Sequence, residues 1–271
     1  MNNEVHYVIY NYISLGLSRA LRRPLPLWKA SHPRLSCYSG FLADTQQKRV
    51  TVAIDGPAGS GKSTIAKRLA DRLGFTYIDT GAMYRAVALW AMRQGVDFGD
   101  MHRTEQLALA AEIDLAPGRI SLNGEDITEA IRTQEASNGA SKISAVPGVR
   151  RAMVAKQREL GERTNAVMEG RDIGTVVFPQ AQVKIFLDAA LAERVRRRLV
   201  DLTAKGEQID GEELAAQMKE RDERDSTRAD SPLSQAPDAV YLDSTGMAIE
   251  EVVENILKVV RARMTNGREY H

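Results

Sequence analysis

Cysteine is almost absent: Cys37 is the only one in 271 residues. No disulfide can close within the chain, and no cluster of thiolate metal ligands can form. Such usage fits a reducing, cytosol-like compartment. Histidine is scarce as well, and His6, His32, His102 and His271 lie scattered with no metal-ligand spacing. No apolar run approaches the roughly 20 residues that span a bilayer, so no membrane partner is expected. Neither sign of charge is in excess: 37 Lys and Arg face 36 Asp and Glu, a net charge of +1. There is no bulk basic field to draw nucleic acid or an acidic membrane surface, and neither is expected as a partner.

The first 49 residues depart from this balance. Arg19, Arg22, Arg23, Lys29, Arg34, Lys48 and Arg49 outweigh Glu4 and Asp44, and "RRPLPLWKASHPRL" carries three prolines with no period. This composition suits a poorly ordered basic extension, with an organelle transit peptide as the alternative.

From Val50 onward strands and helices alternate. "VTVAI" is a short β-branched run suited to a buried strand, and "STIAKRLADRLG" has Ile65, Leu69 and Leu73 at helical spacing before Gly74. "FTYID" predicts a second strand and "TGAMYRAVALWAMRQG" a second helix closed by Gly95. The pattern is that of a parallel sheet with helical crossovers. Between about residues 114 and 132 it breaks. "DLAPGRISLNGEDIT" holds Asn123-Gly124, a hairpin turn signal, which predicts a small inserted antiparallel sheet. Helix then returns, interrupted at Pro147, followed by strands in "NAVMEG" and "VKIFLDA", helices from Ala189, a last strand in "AVYLDST" and a closing helix from about Met247. The fold class is therefore α/β, with five parallel strands flanked by helices.

Directly after the first strand, Gly56-Pro57-Ala58-Gly59-Ser60-Gly61-Lys62-Ser63 matches G-x-x-x-x-G-K-[ST] between a strand and a helix. Glycines there let successive backbone N–H groups turn inward on phosphate oxygens, and the following helix adds its positive end. Lys62 suits the β- and γ-phosphates of ATP, and Ser63 suits Mg²⁺. Thr64 extends the same helix start. An N-K-x-D element, which guanine-specific switches need, does not occur in the sequence. "VKIFLD" ends in Asp188, which reads equally as a metal-ordering carboxylate or as an ordinary strand end.

One further stretch, "KERDERDSTRAD", is nearly all charge. As a helix it places Arg221, Arg224, Asp225 and Arg228 on one face at i, i+3, i+4 and i+7. Such a face is either a solvated surface laced with ion pairs or a row of guanidinium groups waiting for an anion.

Together, "DTGAMYR", "IRTQEASNGAS", "EGRDIGTVVFP", "VKIFLDA" and "KERDERDSTR" make the chain resemble the bacterial-type cytidylate kinases, in order, from about Val50 to Arg263. The resemblance implies a P-loop nucleoside monophosphate kinase that moves the γ-phosphoryl group of ATP to CMP or dCMP with Mg²⁺. Its parts would be a core (50–100, 163–205 and 230–265), a monophosphate-binding insertion (101–162), an arginine lid (206–229) and a short tail (266–271). It assigns Thr80, Tyr84, Arg85 and Arg171 to the CMP phosphate and sugar side. It assigns Asp172, Ser141 and Arg150 to the base, and Arg221 and Asp225 to the ribose. Arg221, Arg224 and Arg228 would close over the transferred group as a lid, with Lys62, Arg171, Arg221 and Arg228 as the catalytic set. Arg151 adjoins Arg150, and periodicity does not choose between them. The motif here begins with glutamate, in "EGRD". A monomeric, cytoplasmic enzyme is expected. The rival from another class is a nucleotide-driven switch that transfers nothing.

Overall fold

The computed structural model describes residues 49–204 and 206–266. Nearly all of the basic extension lies outside them, as do residues 267–271. The sheet is built from β1 (Thr51–Asp55), β2 (Thr76–Asp79), β6 (Ala166–Gly170), β7 (Val183–Asp188) and β8 (Val240–Asp243), in the order β2-β6-β1-β7-β8 with every pairing parallel. β1 is central and buried at all five residues, which is why Val52, Ala53 and Ile54 follow one another as apolar residues and do not alternate with polar ones. Val52 and Ile54 face α1 (Lys62–Leu73) and α8 (Ile249–Asn266), packing with Ile65, Leu69, Val253 and Ile256. Ala53 faces the other way, onto Met168, Ile173 and Val177. α8 takes in Asn266, the first residue of the expected tail.

α2 (Thr80–Arg93) follows β2 without a break, capped by Asp79, whose side chain accepts from Ala82 N. It carries its inner residues Met83, Ala86 and Val87 into a second core with α4 (Gln134–Ile143) and α5 (Pro147–Glu162). α2 and α4 approach closely at Gly139, where a Cβ would stand 3.1 Å from the Ala88 methyl and 2.8 Å from the Phe98 ring. The helix break at Pro147 falls where the sequence placed it, with proline in the first turn of α5.

The inserted sheet has three strands, β3 (Ile113–Ala116), β4 (Arg119–Leu122) and β5 (Glu125–Asp126), all antiparallel. Asn123 and Gly124 both have positive φ, 51° and 83°, and turn β4 into β5. The turn joining β3 to β4 is a separate one, at Pro117-Gly118. A helix precedes this sheet, α3 (Met101–Ala110), capped by Asp100 accepting from Arg103 N.

α6 (Leu191–Ala204) and α7 (Gly211–Thr227) pack together through Val195, Leu202, Leu214 and Met218. The single arginine face expected on α7 is corrected in one respect. The helix ends at Thr227, and Arg228 is extended (φ −61°, ψ 141°), its guanidinium turned by a bond to the Ser231 carbonyl.

Candidate active site

Gly56 leaves β1 with φ 151°, and a Cβ there would sit 2.0 Å from the carbonyl oxygen of Leu187. Glycine is the residue that lets the backbone pass this point. Gly56→Ala is therefore expected to destabilise the fold by about 3 kcal/mol or more, read as a shifted denaturation midpoint. A variant within about 0.5 kcal/mol of the parent would contradict that reading of the loop. Ser60 Oγ donates to Pro57 O at 3.1 Å and Lys62 Nζ donates to the same carbonyl at 2.5 Å. Burial, with the cations of Arg171 and Arg221 adding to it, drives the Lys62 pKa well below its ordinary value. An anion arriving there would restore the charge.

Outside the loop, two arginines of α6 fasten it. Arg194 Nη1 donates to Ala58 O (3.1 Å) and to Asp222 Oδ2 of α7 (2.6 Å). Arg197 reaches Ser60 O at 3.2 Å and Ser244 O at 2.8 Å.

The loop forms one end of a cleft of about 660 Å³. Among the expected phosphate-loop residues, Ala58 through Thr64 line it, and Gly56 and Pro57 do not. Every residue assigned to the acceptor side lines the same cleft: Thr80, Tyr84, Arg85, Ser141, Arg150, Arg171, Asp172, Arg221, Asp225 and Arg228. They reach it from α2, α4, α5, the turn after β6 and the end of α7. The carboxyl ends of the central strands point into it, the usual position for ligands in open α/β sheets.

The charges there are organised in two groups. Arg171 Nε donates to Asp225 Oδ2 at 3.0 Å, and Arg171 Nη1 to Gly170 O at 3.2 Å. Burial would raise the Asp225 pKa, but the cations of Arg171 and Arg221 hold it below the usual carboxylate range. Arg221 is pulled down to about 10 by burial and by its neighbours Arg171, Arg85 and Arg198. Arg85 is held by Asp79 at 2.9 Å. In the second group, Arg150 is bonded to the Asp172 carboxylate and donates to Ser144 O at 3.3 Å, while Arg228 lies 3.9 Å from the other Asp172 oxygen. Arg150 stands over the Tyr84 ring, 5.9 Å from its centroid. Burial pushes the Tyr84 hydroxyl up to about 12. The choice between neighbours resolves to Arg150, which is buried; Arg151 points outward to Glu105. Among the described residues, Arg150 Nε, Arg221 Nε and Arg228 Nη2 are buried with no hydrogen-bond partner. Groups of this kind suit a polar, anionic ligand.

Several site residues escaped the sequence reading. Glu169, at the end of β6, accepts from Ser63 Oγ at 2.9 Å and from the Tyr77 hydroxyl. Burial, and then Asp79, raise its pKa. Asp188 is an ordinary strand end by geometry: it accepts from Ala189 N (2.8 Å) and Tyr241 OH (3.2 Å) and does not line the cleft. Arg198 was missed too; it lines the cleft and donates to Gln134 Oε1 at 2.6 Å. The run "RRR" at 196–198 was visible, but only the placement of α6 shows that it borders the cleft.

A phosphate loop at one end of a cleft and a cluster of cations at the other suit transfer between two phosphorylated partners, which places the protein among the P-loop kinases. The family described as "Cytidylate kinase" matches residues 52–262. The cytidylate kinase of Solibacter usitatus is 74% identical over 231 residues, covering 84% of this chain and all of that one. That of Caldanaerobacter subterraneus subsp. tengcongensis is 49% identical over 212 residues, covering 78% and 95%. Among solved structures, a gluconokinase from Sinorhizobium meliloti aligns with TM-score 0.44 and 15% identity, over 83% of this chain and 99% of its own. The chain belongs to the cytidylate kinase family, and is a phosphotransferase.

Proposed function

We propose that the chain transfers the γ-phosphoryl group of ATP to CMP or dCMP, giving ADP and CDP or dCDP. The observation that carries this reading is the pairing, in one cleft with the phosphate loop, of the Arg171–Arg221–Arg85 cluster with the buried Asp172–Arg150 couple. The first suits an acceptor phosphate and the second a base edge. A carboxylate accepts from the amino group of cytosine and repels the carbonyl that uracil carries there. The attacking group is a phosphate oxygen that is already anionic, so no strong general base is needed. The protein's work is to align the two phosphates and to offset the charge that spreads over the moving group. Lys62 and the loop N–H groups would hold the donor phosphates. Arg85 and Arg171 would grip the acceptor phosphate in their planar forks, with Thr80 beside them and Ser141 toward the base. Arg221, Arg228 and, by position, Arg198 would neutralise the group between them, and Asp225 with Arg221 would hold the ribose.

The residues at the end of the loop also fit a divalent cation: Ser63 presents a hydroxyl beside the buried carboxylate of Glu169, both hard oxygen donors. Ser63 and Glu169 would hold Mg²⁺ there, and the ion would supply positive charge to offset that of the donor phosphates. Residues 206–229 would act as the lid and 101–162 as the monophosphate-binding part, closing to keep water from the donor. A monomer in the cytoplasm fits this role.

The test is initial-rate ADP release with ATP and Mg²⁺ against CMP, dCMP, UMP, AMP and no acceptor. Fast release with CMP and dCMP, and little with the others, is expected. Equal slow release in every tube would favour a nucleotide-driven switch.

A further inference from the structure

Asp172 begins a short π-helical turn, Ile173–Val177, and stands at its N-cap position. Aspartate there ordinarily folds back to accept an N–H two or three residues on. Asp172 makes no such bond. The first free N–H groups of the turn are already taken: Ile173 N donates to Asp55 Oδ1 at 2.8 Å and Gly174 N to Asp55 Oδ2 at 2.7 Å. Asp55 ends β1 and sits opposite Gly170 of β6 and Phe186 of β7 in the sheet. It is the residue immediately before the phosphate loop.

We propose that Asp55 is a positioning residue: by capping this turn from another strand, it keeps the Asp172 carboxylate free to read the acceptor base. The inference rests on the CMP-kinase reading above. With the Gly174 N–H taken by Asp55, and its own backbone at φ −149°, ψ 24°, outside the extended range usual for a cap residue, Asp172 turns to Arg150 and Arg228 at the cleft. The bonds are made at close quarters, since a Cβ on Gly174 would meet Lys184 Cδ at 3.1 Å and Asp55 Oδ2 at 3.4 Å. Asp55 has no cation among its hydrogen-bond partners, and burial pushes its carboxyl up to about 6. A buried carboxylate is costly unless its oxygens are bonded, and here both oxygens are bonded to this turn. Its two oxygens tie the end of β1 to the turn that follows Arg171 and Asp172, on the acceptor side of the cleft.

The test compares the full chain with Asp55→Ala, Asp55→Asn, Asp172→Asn and the double variant Asp55→Ala/Asp172→Asn. The readouts are kcat/KM for CMP and for UMP, KM for ATP, and Tm. Asp55→Ala is expected to lower the CMP-to-UMP preference about tenfold or more, with KM for ATP within about twofold. Asp55→Asn, which keeps one acceptor oxygen, should fall between. In the Asp172→Asn background, Asp55→Ala should lower the preference no further, because both changes remove one contact. A loss of Tm with an unchanged preference in Asp55→Ala, or in Asp55→Asn should the alanine variant not fold, would overturn the proposal and leave Asp55 a structural cap. A crystal structure of whichever Asp55 variant folds decides the capping claim independently of turnover. The Asp172 carboxylate is expected on the N–H of Gly174 or Thr175, and finding it still on Arg150 would overturn the inference. Absence of CMP-dependent turnover in the parent chain would instead sink the functional reading.

Discussion

Arg171→Ala is expected to lower kcat by about 10³-fold, the scale on which single arginines act in phosphoryl transfer. Its guanidinium leaves the end of β6, is aimed by Asp225 at 3.0 Å, and is the largest cationic influence on both Lys62 and Arg221. Stability should change much less, by about 1 kcal/mol. Asp225 keeps Arg221 as a second cation, and removing one charge from a like-charged cluster relieves repulsion there. Arg171→Lys restores charge but not the bidentate fork, so it should recover only part of the loss. Steady-state kinetics together with a denaturant titration check both halves. A folded Arg171→Ala with unchanged kcat would remove the residue from the mechanism.

Replacing Asp172 should act on selectivity. Asp172→Ala would strip the carboxylate from two cations, Arg150 and Arg228, both almost wholly buried. Breaking a buried pair in this way costs about 3–5 kcal/mol, so a weak enzyme could reflect poor folding alone. Asp172→Asn keeps the volume and one acceptor oxygen, and offers an amide N–H to the carbonyl of uracil. The preference for CMP over UMP is expected to fall by about 10- to 100-fold, the worth of one good polar contact to a base edge. Paired kcat/KM values for CMP and UMP give the answer. A preference that survives intact would mean the base is read elsewhere in the cleft.

The legible parts of the sequence were those set by local rules. β1 shows itself because a strand covered on both faces carries consecutive apolar residues, here Val52 to Ile54, and the phosphate loop because Gly56 stands where a Cβ would strike Leu187. Asn123-Gly124 marks its turn through two positive φ values. The parts that escaped depend on distant partners. Glu169 is an unremarkable strand residue until Ser63, 106 positions away, donates to it. Asp55 reads as one polar residue before a glycine-rich loop, and its partners lie 118 and 119 positions on. Helical spacing put Arg228 on the face of α7, but the helix stops at Thr227 and the side chain is turned by Ser231, itself at φ 53°. Arg150 and Arg151 are equivalent by pattern, and only the packing of α5 on the acceptor core sets one inward and the other on Glu105.

The proposed reaction passes a phosphoryl group between two nucleotides within one cleft. Phosphorus NMR of the full chain with ATP, CMP and Mg²⁺ tests it most directly, because it reports every phosphorus-bearing product at once. CDP and ADP are expected to grow in equal amounts, with inorganic phosphate a minor signal. ADP and inorganic phosphate growing together, without CDP, would contradict it.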